Sequence, residues 1–181
     1  LPRNVRLPLW VRPTNRGLFA PAAPCLPLDP RETGPIKGPM QESVITRLVV
    51  PPEWAPQRAV WTAWPSDPDQ WDGDLDTPRE DVAAMVRALA EGNRVRVLVN
   101  GAESEASARA ALGSSAEVVA ARYGDIWLRD TGPIFAKTDD GTVALRFEIN
   151  GWGGRFDLPD DAFTGDDMAR LAGAEVRRFD F

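Results

Sequence analysis

Gly124-Asp125-Ile126-Trp127-Leu128-Arg129-Asp130-Thr131-Gly132-Pro133-Ile134-Phe135 is the stretch on which the reading of this chain turns. Two carboxylates, an arginine and an indole are packed between a polar loop and a Gly-Pro turn that opens an apolar strand. Such a mixture is costly to bury unless each charge has a partner. It suits a site that must hold a planar cation. The same chain contains no histidine, the usual proton shuttle near neutral pH. The expectation is a substrate-binding half of an enzyme whose other half is absent.

On either side of this stretch, strand and helix signals alternate with short connections. Val44 to Val50 reads as a strand stopped by Pro51-Pro52, and Arg58 to Trp64 as a second strand ended by Pro65. Thr77-Pro78-Arg79-Glu80 is a capping box, predicting a helix from Pro78 to about Glu91 with Val82, Met85, Val86 and Leu89 as its buried stripe. Gly92 ends that helix, and Arg94 to Val99 is a strand. A helix from about Ser104 to Leu112 is stopped by Gly113, and a short strand follows at Glu117-Val118-Val119. Ile134 to Ala136 and Thr142 to Phe147 flank Asp139-Asp140-Gly141 as a hairpin. A last helix near Asp160 to Leu171 leads into a strand from Glu175 to Phe181. The class is α/β or α+β. A chain that stops inside a strand reads as truncated at its C-terminus, since an edge strand needs a neighbour or a guard.

Residues 1–43 are different material. They hold nine of the 17 prolines, with six basic and three acidic side chains. Proline at that density removes backbone donors and breaks helices, so a mostly disordered tail is expected there. Met40 is the expected natural start, which would make the preceding residues an upstream extension. Residues 44–181 form the expected globular part.

At 181 residues the chain can bury one sizeable core. A net charge of −6 excludes a nucleic-acid backbone as partner. No apolar run reaches membrane-spanning length. The single cysteine, Cys25, fits neither a disulfide scaffold nor a metal cluster. A bacterial cytoplasm is the default compartment.

Trp54, Trp61, Trp64 and Trp71 cluster just ahead of the first helix. Trp61 and Trp64 read as core, since a buried indole hides roughly 150–250 Å². Trp54, after Pro51-Pro52-Glu53, reads as a packing anchor. Trp71 lies in an acidic loop and has two readings, lining the approach of a cation or capping the core from outside.

These blocks carry a resemblance. Pro52-Glu53-Trp54, Val60-Trp61-Thr62-Ala63-Trp64-Pro65, Asp125 to Pro133, and Phe147-Glu148-Ile149-Asn150-Gly151-Trp152-Gly153-Gly154 stand in the order and spacing of the agmatine deiminase family. That family includes the porphyromonas-type peptidylarginine deiminases. The resemblance covers roughly residues 45 to 181, about the N-terminal half of such an enzyme. It implies a pentein-type propeller of five αβ modules, about two of them present here, and no metal or organic cofactor. It implies hydrolysis of a guanidinium to a ureido group with loss of ammonia, through a cysteine-bound intermediate and a histidine. The implied partner is a small guanidine substrate, agmatine, in polyamine biosynthesis, and a homo-oligomer is admitted for a full-length protein. Peptidyl-arginine is the alternative substrate.

In that resemblance Asp130 matches the carboxylate that grips the guanidinium, and Trp127 the aromatic packed along the substrate. Trp71 and Gly153 are further candidates for substrate contact. Neither the histidine, the cysteine nor the Glu-Gly-Gly block of the family has a counterpart here. Cys25 is rejected as nucleophile, because it sits in the proline-rich tail with nothing to lower its pKa. The segment alone is therefore expected to be inactive.

Each assignment has a plainer rival. Asp130 could pair with Arg129 or a lysine. Arg129 would be a scaffold residue on the opposite face if the segment is extended. Asp125 suits a backbone cap as well as catalysis. The glycines of 150–154 lack the lysine of a phosphate loop and suit a sharp turn with Trp152 as core or wall. Two other functions stay open: a glycoside hydrolase using Asp125 and Asp130, and a non-catalytic remnant.

Overall fold

The computed structural model describes residues 47–179. The proline-rich segment, Cys25, Met40, the first half of the expected 44–50 strand, and the last two residues of the expected 175–181 strand lie outside the described residues.

The first sheet is wholly parallel. Strands β1 (Val60–Ala63), β2 (Val95–Val99) and β3 (Glu117–Ala120) lie in that order. Trp61 pairs with Arg96, and Val97 with Val118. Parallel strands need crossovers, and two helices supply them. The first, α1, spans Asp76–Ala90, and the second, α2, spans Ala102–Leu112. Both helices pack on one face of the sheet. Side chains alternate along β2, so Val95, Val97 and Val99 point to that face, where they meet Trp64, Val82, Val86, Ala108, Leu112 and Val118. Leu98 points the other way, into a second cluster with Ala63, Ala121, Tyr123 and Met168.

The second sheet is mixed. Strands β4 (Ile134–Thr138) and β5 (Gly141–Phe147) form an antiparallel hairpin around Asp139-Asp140. Strand β6 (Glu175–Phe179) pairs parallel to β5. Between β5 and β6 come a one-turn element, α4 (Gly151–Gly154), and a true helix, α5 (Asp161–Ala172). Met168 and Leu171 of α5 close the second face of the first sheet. That sheet is thus covered on both sides, by α1 and α2 on one and by α5 on the other.

Several boundaries differ from expectation. Helix α1 starts two residues before Pro78, with Thr77 inside it and Leu75 at the cap position, and Asp74 ahead of it ties the first turn: its Oδ1 accepts from the N–H of Asp76 at 2.9 Å and its Oδ2 from the hydroxyl of Thr77 at 2.7 Å. Pro78 stays inside the first turn, where its missing N–H leaves no bond unmade. Met85 is exposed and Ala83 is buried in its place. Of the described part of the 44–50 strand, residues 47–50, only Val49 pairs, exchanging two hydrogen bonds with Lys137 of β4. Leu48, Val49 and Val50 are exposed, and the two prolines behind them have no N–H for a ladder. Trp54 is 88% exposed and anchors no core.

Candidate guanidinium-binding site

Strand β3 runs out at Ala120 and the chain crosses to the second sheet through residues 121–133. Tyr123 starts that crossing fully buried, its hydroxyl donating to the carbonyl of Trp64 at 2.6 Å. The next residues are held by side chains from three directions. Gln70, in the 3-10 turn Pro68–Trp71, donates to the carbonyl of Gly124 at 2.8 Å. Asn100 donates to the carbonyl of Tyr123 at 3.0 Å and to Asp160 at 2.9 Å. Asp161 accepts from the N–H groups of Gly124 and Asp125, each at 2.9 Å. Upstream, Asp167 accepts from the N–H and the guanidinium of Arg122.

Beyond Asp125 the backbone is not extended. Leu128–Thr131 forms a single helical turn, α3, with Trp127 at its cap. The N–H groups of Asp130 and Thr131 both donate to the carbonyl of Trp127, at 3.0 and 3.2 Å. Trp127 caps the turn and Asp130 lies within it, whereas Arg129 pairs with Glu53 at 2.7 Å. An Arg129–Asp130 pair, the plain rival, does not form. Gly132 ends the turn against α5: a Cβ there would stand 2.5 Å from the carbonyl oxygen of Leu128 and 3.0 Å from the sulfur of Met168.

Trp127 is 53% exposed. Asp130 is also exposed, and its carboxylate makes no hydrogen bond or ion pair among the described residues. Asp125 is half-buried. Burial pushes its carboxyl above the ordinary range, the N–H groups of Ile126 and Trp127 pull it back, and the charges of Asp161 and Asp130 push it up again.

Trp71 closes the turn whose Gln70 grips Gly124, so the structure brings its loop to this crossing. Gly153 is placed differently. It lies in α4, where Gly151, Trp152, Gly153 and Gly154 all have positive φ. The element is therefore a left-handed turn, held by Asn150 accepting from the N–H of Gly153 at 3.0 Å. Nothing stands within 4 Å of a Cβ built on Gly153, so its glycine answers a backbone need. Trp152 packs edge-on to Phe156 and is a wall, not core. A hollow of about 290 Å³ lined by Asn100, Arg122, Asp167 and Arg170 includes neither Trp127 nor Asp130. Both of its arginines are committed to Asp167.

Sequence reading missed Gln70, Asn100, Asp161 and Asp167. Each acts on main-chain atoms tens of residues away, and no local pattern encodes that.

Residues 49–181 match the family model described as Porphyromonas-type peptidyl-arginine deiminase. The chain belongs to this family. An agmatine deiminase of Pseudomonas syringae pv. syringae is 38% identical over 107 residues, which is 58% of this chain and 29% of that protein. An agmatine deiminase of Stutzerimonas stutzeri is 37% identical over 108 residues, again 29% of its length. Among solved structures, the agmatine deiminase of Enterococcus faecalis superposes with a TM-score of 0.68 at 24% identity, over 73% of this chain and 38% of that one. That likeness shows a shared mixed α/β fold built on small sheets. The match spans less than a third of the curated relatives' length.

Proposed function

We propose that this chain is the guanidinium-binding part of an agmatine deiminase, which converts agmatine and water to N-carbamoylputrescine and ammonia in polyamine biosynthesis, in a bacterial cytoplasm. The observation that carries the reading is Asp130: an exposed carboxylate with no hydrogen bond or ion pair among the described residues, in a one-turn helix capped by an exposed indole. A carboxylate takes a guanidinium through two parallel N–H bonds, a geometry that an ammonium cannot match. Trp127 lies along the cation and its alkyl chain. The names of the relatives favour agmatine over peptidyl-arginine.

In this reading the two sheet-and-helix units are two of five propeller modules, and residues 1–43 are an appendage to the domain that starts at 44. The thiolate that attacks the guanidinium carbon and the histidine that moves protons lie outside residues 1–181. Attack forms a bond from sulfur to carbon, ammonia leaves with a proton from the histidine, and water then releases the ureido product and restores the thiol. The openness of Asp130 and Trp127 fits a site that further modules complete. Trp71 would flank the approach. The sugar-cleaving alternative has no support from family or geometry.

The test is ammonia and ureido release by a protein carrying the whole family domain, given agmatine or an arginine-terminated peptide. Faster turnover of agmatine is expected, and faster turnover of the peptide overturns the assignment. Residues 1–181 alone should release none, with or without Cys25→Ala.

A further inference from the structure

The first residue of α5 carries a buried carboxylate with no part in the chemistry above. Asp161 is 4% exposed. One oxygen, Oδ1, accepts from two successive main-chain N–H groups, those of Gly124 and Asp125. The other, Oδ2, is buried and has no hydrogen-bond partner among the described residues. A buried carboxylate oxygen left bare is costly, and buried polar atoms are almost always satisfied. What offsets it is the strength of a charged acceptor: a carboxylate holds an N–H more firmly than a neutral oxygen does.

The fit is tight. A Cβ on Gly124 would stand 2.4 Å from Cβ of Leu158 and 3.1 Å from Oδ1 of Asp161, so only glycine lets the crossing lie against this carboxylate. Neighbouring acids grip the same run of chain, Asp160 through Asn100 at Tyr123 and Asp167 at Arg122. The grip ends at Asp125, two residues before the turn that carries Trp127 and Asp130.

We propose that Asp161 is a positioning residue for the cationic substrate: by fixing the Gly124–Asp125 corner from α5 it sets where Trp127 and Asp130 stand. This rests on the guanidinium-binding reading. A corner released by even an ångström would swing the turn beyond it, and bidentate recognition tolerates little misplacement. Because the guanidinium is held alike before and during reaction, the loss should fall on KM more than on kcat.

The experiment uses a protein carrying the whole family domain. Asp161→Ala should raise KM for agmatine about tenfold or more, as expected from losing a charged hydrogen-bond acceptor, with kcat changed less. Asp161→Asn keeps an oxygen for both N–H groups and should recover most of the loss. A well-folded Asp161→Ala protein whose KM stays within about twofold of the parent overturns the proposal, because a purely structural anchor would lower only stability. Should Asp161→Ala fail to fold, Gly124→Ala decides, since its Cβ pushes the same corner away while Asp161 remains. Its KM must rise as well, and an unchanged value sinks the idea. If the parent does not turn over agmatine at all, the functional reading fails on its own. The latch is then read by hydrogen exchange. The amides of Gly124, Asp125 and Asp130 should exchange faster in Asp161→Ala, or in Gly124→Ala if that variant does not fold, than in the parent, and equal rates overturn it.

Discussion

The two faces of the first sheet are closed by different physics. On one, α1 and α2 lay valines, alanines and Leu112 over Val95, Val97 and Val99, with Trp64 fully enclosed. On the other, α5 contributes Met168 and Leu171, and beside them Asp160, Asp161 and Asp167 seize the strand's exit. Apolar burial is non-directional and scales with area, so the first face sets how stable the unit is but not where any one atom lies. Hydrogen bonds have angles and lengths, so the second face sets position. The candidate site grows from the second face.

This contrast can be broken most forcefully at Trp64. Removing a fully buried indole, Trp64→Ala, should cost about 3–5 kcal/mol of stability. Thermal or urea unfolding would read it, and any loss of activity should follow the loss of fold. A chain that keeps its melting temperature would mean the first face is not the stabilising one.

Asp130→Asn should do the reverse. It keeps the shape and removes the charge opposite the cation, a change on the order of 2–5 kcal/mol for a desolvated pair, so kcat/KM for agmatine should fall well over tenfold. The melting temperature should stay put, because the carboxylate has no hydrogen bond or ion pair among the described residues. Nearly full activity in a soluble Asn variant would make Asp130 a bystander.

A subtler separation uses Asp125, whose carboxyl is raised by burial and then by the charges of Asp161 and Asp130. As pH rises above the ordinary carboxylate range, the unfolded chain gives up its proton before the folded chain does. Stability therefore falls across the window between the two values. Asp125→Asn removes that loss, so its melting temperature should gain on the parent's as pH rises through and above the ordinary carboxylate value of about 3.9. A constant difference across that range would show that Asp125 titrates as it does in water.

The smallest effect is expected at Glu53, which holds Arg129 by an exposed ion pair. Glu53→Gln frees the guanidinium next to Asp130, and KM should rise by no more than about fivefold, as befits a surface pair. Adding Arg129→Ala should restore it. If the double variant is as poor as the single one, Arg129 does not compete for Asp130.

The order and type of the main elements are legible in the chain because they follow local rules. Val95 to Val99 alternates, Gly113 stops a helix in a conformation that favours glycine, and Asp139-Asp140-Gly141 turns a hairpin. The exceptions are places where two local rules compete. Asp74 takes both the N–H of Asp76 and the hydroxyl of Thr77, so the Thr77 capping box does not form, and Leu48 to Val50, strand-like in composition, find only one paired residue. Trp54 shows the limit of reading tryptophan as core.

What the chain by itself determined is the inventory: a run of βαβ signals, no histidine, and two carboxylates, an arginine and an indole within six residues. Hydrophobic period, turn chemistry and side-chain type are all properties of neighbours in sequence. What only the tertiary structure decided is which acid is free and which is spent. Among the described residues Asp130 has no partner, since Arg129 is drawn off by Glu53, more than seventy residues earlier, while Asp161 and Asp167 each take main-chain N–H groups some forty residues upstream. One carboxylate is chemically like another until long-range packing brings donors to some and withholds them from the rest.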